Sequence, residues 1–115
     1  CMTLDRIIQS LDLKVVTEAR DFAAIAPSGG YTSDLLSCVM AGAKNHNVWV
    51  TIQSHANIIA VAALLELSAI IITEGAEPDA ATINKANEEG IVLLTTPMQS
   101  YEVIGKLWDL GVKIG

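Results

Sequence analysis

Three stretches of this chain share one pattern: three large apolar residues followed by a threonine. They are Val48-Trp49-Val50-Thr51, Ile70-Ile71-Ile72-Thr73 and Val92-Leu93-Leu94-Thr95, repeating at about 22 residues, the length of a compact strand–helix unit. Continuous aliphatic runs of this kind read as strands buried on both faces. Two helical segments separate them. Ile58 to Leu67 is apolar on almost every side, so it must pack on the sheet and also beneath another helix or a second subunit. Ala80 to Glu89 is capped by Asp79, polar on its outer side and stopped by Gly90. Right-handed crossovers make the three strands parallel and bring their carboxyl ends, Thr51, Thr73 and Thr95, into register on one edge.

The flanking segments complete the pattern. Thr3 caps a helix from Leu4 to Leu11, and Leu13 to Thr17 reads as a strand. Phe22 to Ala26 reads as a second strand. Glu18-Ala19-Arg20 is too short for a crossover, so the two strands are expected to pair antiparallel. Pro27-Ser28-Gly29-Gly30 is the strongest turn signal in the chain. Ser33 or Asp34 then caps a helix from Leu35 to Ala43. Its inward face would hold Leu35, Leu36, Val39 and Met40, with Cys38 in the apolar stripe. Asn45-His46-Asn47 closes that helix. After Thr96-Pro97, Ser100 caps a last helix from Tyr101 to Leu110, ended by Gly111. These elements predict one α/β domain over residues 1–115, a three-layer α/β/α fold with a mostly parallel sheet of about five strands.

Composition narrows the function classes. Half the chain is apolar but only 4% is aromatic, so the core is built from Ile, Val, Leu and Ala. The formal net charge of -6, with no basic run, argues against nucleic acid and anionic membrane surfaces as partners. Cys1 precedes Met2 and is expected to be a cloning remnant, with Met2 the natural start. That leaves Cys38, which alone makes neither an internal disulfide nor a cysteine zinc site. No basic, hydrophobic leader and no apolar run of about 20 residues is present, which predicts a cytoplasmic protein.

The chemistry concentrates on the strand-end edge. Val48 to Asn57 passes from β-formers into small polar groups and then into an apolar helix. In open α/β sheets, ligands bind outside the carboxyl ends of the strands. The candidate ligand-binding set is therefore Thr51, Gln53, Ser54, His55 and Asn57 from the first unit, Thr73, Glu74 and Gly75 from the second, and Thr95 and Thr96 from the third. Unsatisfied N–H groups at helix amino ends favour a small anion there. Set against this, the threonines are ordinary β-formers and Ser54 serves as a helix cap. His55 reads either as a donor to a phosphate or carboxylate or as a packed ring bonded to a carbonyl. Gly29 and Gly30 border the pocket, and their first role is a tight turn that lets backbone pass close to the sheet. The stretch lacks the lysine of a phosphate-binding P-loop and the glycine spacing of the dinucleotide fingerprint. His46 belongs to a polar loop, Glu66 to a solvent-reaching helix end or a pair across an interface, and Trp49 and Trp108 to packing or an interface. Two histidines without matching carboxylates make a poor metal site, so no metal or cofactor is expected.

Taken together, GGYTSDLLSCVMAGA, VWVTIQSHANIIAVAAL, AIIITEGAEPD and GIVLLTTPMQSYEV resemble the DRTGG domain family from about Leu13 to Gly111. The resemblance implies a fold similar to the amino-terminal domain of HPr kinase/phosphorylase, a homodimer, and a regulatory, ligand-sensing role without established catalysis. Two namesake elements differ. Ser54-His55-Ala56 stands where Asp-Arg-Thr is expected, and Thr73-Glu74-Gly75 keeps one of two glycines. The leading expectation is a non-catalytic regulatory module sensing a small anionic metabolite or nucleotide at the strand ends. The alternative is a homodimeric scaffold for a partner protein, resting on Ile58 to Leu67. A third reading is a small enzyme using His55 and Glu74 as an acid/base pair.

Overall fold

The computed structural model describes residues 2–115, so the expectation about Cys1 lies outside the described residues. Helix α1 (Leu4–Leu11) precedes β1 (Lys14–Val15), a 3-10 turn (Phe22–Ala24), β2 (Gly29–Thr32) and α2 (Leu36–Gly42). Then come β3 (Asn47–Thr51), α3 (Asn57–Leu65), β4 (Ala69–Ile72), α4 (Ala80–Glu89), β5 (Leu93–Thr95) and α5 (Ser100–Asp109). The five strands lie in the order β1-β5-β4-β3-β2, parallel except for β1. The expected three-layer, mostly parallel α/β architecture is the one observed.

Alternation along the strands splits the core in two. Val48, Val50, Ile71 and Leu94 face α1 and α5. Trp49, Ile70, Ile72 and Leu93 face the layer of α2, α3 and α4. Ile70, Ile71 and Ile72 are all fully buried, each contributing roughly 1.5–3 kcal/mol by leaving water. Helices α2 to α4 share one face because each right-handed crossover steps to the next strand in the same direction. Helix α5 breaks the sequence and crosses to the other face.

Several sequence expectations need correction. Phe22 to Ala26 is not a strand. Phe22 and Ile25, one 3-10 turn apart, are the half-buried residues of that segment and pack at the edge of the α1 layer, while Ala23 and Ala24 are exposed. The Leu13 to Thr17 segment instead pairs antiparallel with β5, Lys14 beside Thr95. Gly29 and Gly30 begin a strand, not a turn. The backbone of Lys113 to Gly115 runs against it, and Gly30 N–H donates to the Lys113 carbonyl at 2.7 Å. A Cβ on Gly29 would lie 2.6 Å from that carbonyl oxygen, so the close backbone approach expected of these glycines holds at Gly29, although its partner is the distant carboxyl-terminal segment.

In α2 only Val39 is fully buried. Leu35 and Met40 are exposed, and so is Cys38, which is no core residue. Neither Ser33 nor Asp34 caps α2, and Ser100 does not cap α5, whose cap position is Gln99. Helix α3 buries Ile58, Ile59, Val61 and Ala62, whereas Leu64 is 66% exposed, so its outer stripe is uncovered within the chain. Asp79 and Gly90 do bound α4 as expected, Asp79 accepting from the Thr82 N–H at 2.8 Å. No described helix is long and apolar enough to cross a membrane.

Candidate functional site

The three threonines are at the carboxyl edge, but not in one row. Thr51 pairs with Ile72, and Ile72 with Thr95. Thr73 therefore lies one position further along and faces the α5 side, opposite Thr51 and Thr95. The apolar pattern cannot distinguish these registers, because both faces of the strand are buried and a one-residue slip exchanges one apolar row for another.

The β3 end is tied down by Asp34, from the loop after β2. Its Oδ1 accepts from the Thr51 hydroxyl at 2.8 Å and from the Ile52 N–H at 2.9 Å. Gln53 Nε2 donates back to the Asp34 carbonyl at 2.9 Å, and Gln53 N–H donates to Thr51 Oγ1 at 3.1 Å. Thr51 and Gln53 thus hold the loop, and Asp34, absent from the predicted set, is their anchor. Its signal in the sequence was the carboxylate itself, which pattern reading assigned to a helix cap.

Between β4 and β5 the following loops leave toward opposite faces, to α4 and to α5. This is the topological switch where a crevice opens in α/β sheets. Here the loops close it themselves. Glu74 N–H donates to the Met98 carbonyl at 2.8 Å, and Gly75 N–H to the Thr96 carbonyl at 3.1 Å. The Thr73 and Ser100 hydroxyls meet at 2.5 Å. Thr96 Oγ1 accepts from the Met98 N–H, fixing the turn around Pro97. Thr73, Thr95 and Thr96 are buried, while the Glu74 side chain is exposed, on a backbone at φ 60° leading into Gly75 at φ 76°.

What remains open is the start of α3. No side chain caps it, so Ser54 is not the cap. Among the described residues, the backbone N–H groups of Ser54, His55, Ala56 and Asn57 have no protein acceptor, and the bonds of the helix begin with Ile58 to the His55 carbonyl. Such donors, with the positive end of the helix dipole behind them, favour an anion. His55 and Asn57 are exposed beside them. Asp79 at the start of α4 is near enough to feel the His55 charge. Its carboxyl is held below the usual carboxylate range, first by the Thr82 backbone N–H and the Thr82 hydroxyl, with His55 adding to that effect. Neither a hydrogen bond nor an ion pair joins His55 to Glu74 among the described residues, where the one ion pair is Lys106–Glu102. No cluster of His, Cys, Asp or Glu able to hold a metal occurs among them.

Gly29 and Gly30 do not reach this edge. They lie beside Asn47 and Val48 at the amino end of the parallel strands.

The fold and its polar strand-end edge define a three-layer α/β domain of the parallel-sheet class. The DRTGG domain model matches residues 35–109, well over half the chain, and the protein belongs to that family. No curated protein sequence matches it. Among solved structures, it is similar to the CBS and DRTGG domains of the regulatory region of Clostridium perfringens pyrophosphatase, complexed with the activator diadenosine tetraphosphate. The TM-score is 0.75 at 19% identity, covering 97% of this chain. The chain spans 48% of that structure, about half its length. The likeness establishes the fold beyond the family match, including α1, β1 and β2.

Proposed function

We propose that this chain is a single-domain, non-catalytic regulatory module of the cytoplasm. Its ligand is a small anionic metabolite or nucleotide, bound at the carboxyl ends of the parallel strands. The observation that carries the reading is the uncapped amino end of α3. Four consecutive N–H donors from Ser54 to Asn57 lie there beside an exposed His55, while the neighbouring β4–β5 crevice is closed by its own hydrogen bonds. A phosphate or carboxylate would take the place that a capping side chain takes elsewhere. Glu74 and Gly75 would border the ligand on the β4 side, and Asp34 would hold the β3 end still. Family membership, and the nucleotide activator of the pyrophosphatase regulatory region, support the same class of role.

A thermal-shift panel of adenine nucleotides, acetyl phosphate, phosphate and pyrophosphate tests the proposal. A ligand at ten times its Kd stabilises by about 1.4 kcal/mol, a rise of roughly 5 °C in Tm for a domain of this size. His55→Ala should reduce that rise. No rise with any of these anions at millimolar concentration would refute it.

The second reading, a homodimeric scaffold, draws support from the exposed apolar side chains of the α2–α3 layer, Leu35, Met40 and Leu64. The two readings are compatible, since that layer lies outside the strand-end edge.

A further inference from the structure

The face of the sheet that carries α1 and α5 is less fully covered than the other. Two helices serve it, α5 crosses over β3, and the β2 edge is left without a helix of its own. Gly30 lies on that edge and contributes no side chain. A Cβ placed there would have Val112 Cγ1 at 3.7 Å and the Val48 carbonyl at 3.8 Å as its nearest neighbours. The result is a cavity of about 240 Å³ beside Gly30, walled by Val50, Leu107 and Val112 and rimmed by Ile104, Trp108 and Lys113.

Its side chains ask for no water. The Thr32 hydroxyl is spent on the Val50 carbonyl at 2.8 Å, and no buried side-chain polar atom among the described residues lacks a partner. The pocket is open on one side and largely apolar; benzene fills an apolar cavity of about 150 Å³, so a pocket of about 240 Å³ suits roughly ten heavy atoms. The mouth differs from the walls. Trp108 is 48% exposed, and the Lys113 Nζ lies 5.6 Å from its ring centroid. Lys113 is the one charged residue lining the cavity and makes no ion pair among the described residues. A single ammonium at the mouth of an apolar pocket matches a ligand with one negative charge.

We propose that this cavity is a second binding site, for a small amphipathic carboxylate whose apolar body fills the space beside Gly30 and whose carboxylate meets Lys113. The site lies on the opposite face of the sheet from α3 and does not depend on the strand-end ligand.

The two tryptophans make the test internally controlled. Trp49 is fully buried on the other face and donates to the Ser33 carbonyl at 2.9 Å, whereas Trp108 lines the cavity. Octanoate and octan-1-ol are titrated into the full chain while both indole N–H signals are followed by NMR. Octanoate should shift the Trp108 signal saturably, with a Kd on the order of 1 mM, and leave Trp49 in place. Octan-1-ol should bind roughly five-fold more weakly. Lys113→Met should bring octanoate to the octan-1-ol level without changing the alcohol. Gly30→Val should abolish both while keeping Tm, and Ile104→Trp serves the same purpose if Gly30→Val does not fold. Absence of a saturable Trp108 shift, or equal affinities for acid and alcohol, would overturn the proposal.

Discussion

The hydroxyl pair between Thr73 and Ser100 offers a quantitative test of how the β4–β5 crevice is closed. Thr73 is fully buried, and its Oγ1 lies 2.5 Å from Ser100 Oγ and 3.4 Å from the Thr51 carbonyl. Thr73→Val keeps the shape but leaves the half-buried Ser100 hydroxyl without its partner. The loss of one bond and the stranding of a polar group cost about 1–2 kcal/mol. Ser100→Ala leaves the Thr73 hydroxyl only its longer bond to the Thr51 carbonyl and should cost about 1 kcal/mol. The double variant removes both polar groups together, so it should cost about 1 kcal/mol or less, well below the sum of the singles. Urea unfolding of the four proteins gives the coupling energy, expected to be on the order of 1 kcal/mol, provided that the m-values agree. Additive single effects would refute the reasoning, because they would mean that the two hydroxyls do not satisfy one another and that the crevice is open to water.

Further outcomes follow from the same contacts. Gly29→Ala forces backbone apart where the Lys113 to Gly115 segment passes, so it should lower Tm and expose that segment to proteolysis; unchanged Tm and protection would contradict the close approach. Asp79→Ala removes the cap of α4 and should lower the urea midpoint at pH 7. Because the folded Asp79 carboxyl is held below its unfolded pKa of about 3.9, its contribution is present above that pH and is lost as pH falls through the folded value. The deficit of Asp79→Ala should therefore shrink below about pH 4, and an equal deficit at pH 3 and pH 7 would rule out the carboxylate as its source. Leu64→Glu should convert a dimer to a monomer in light scattering without lowering monomer stability; a wild-type monomer would end the scaffold reading.

The helices and the parallel strands were legible in the sequence because their signals are local. Leu4, Ile7 and Leu11 repeat at helical spacing, Asp79 and Gly90 bracket α4, and the aliphatic triplets mark strands by composition alone. The misread parts depend on distant partners. The β2 strand looks like a turn because Gly29, which admits backbone from the other end of the chain, stands beside a second glycine. The β1 strand pairs across about 80 residues with β5, a choice that no neighbouring residue encodes. The register of Thr73 was hidden because apolar rows on both faces look alike. At the candidate site, the place of His55 and Asn57 after a strand is legible in the sequence. Asp34 could not, since its partner Thr51 becomes visible only when β2 and β3 lie side by side.

Under the proposed function the open N–H donors of Ser54 to Asn57 receive an anion. Backbone amide signals followed during a titration with pyrophosphate, in the wild type and in His55→Ala, test it most directly. Saturable shifts are expected to concentrate at Ser54, His55, Ala56 and Asn57, with smaller ones at Glu74 and Gly75 and weaker binding in His55→Ala. Saturable shifts elsewhere with these amides unmoved, or no shifts at all, would contradict it.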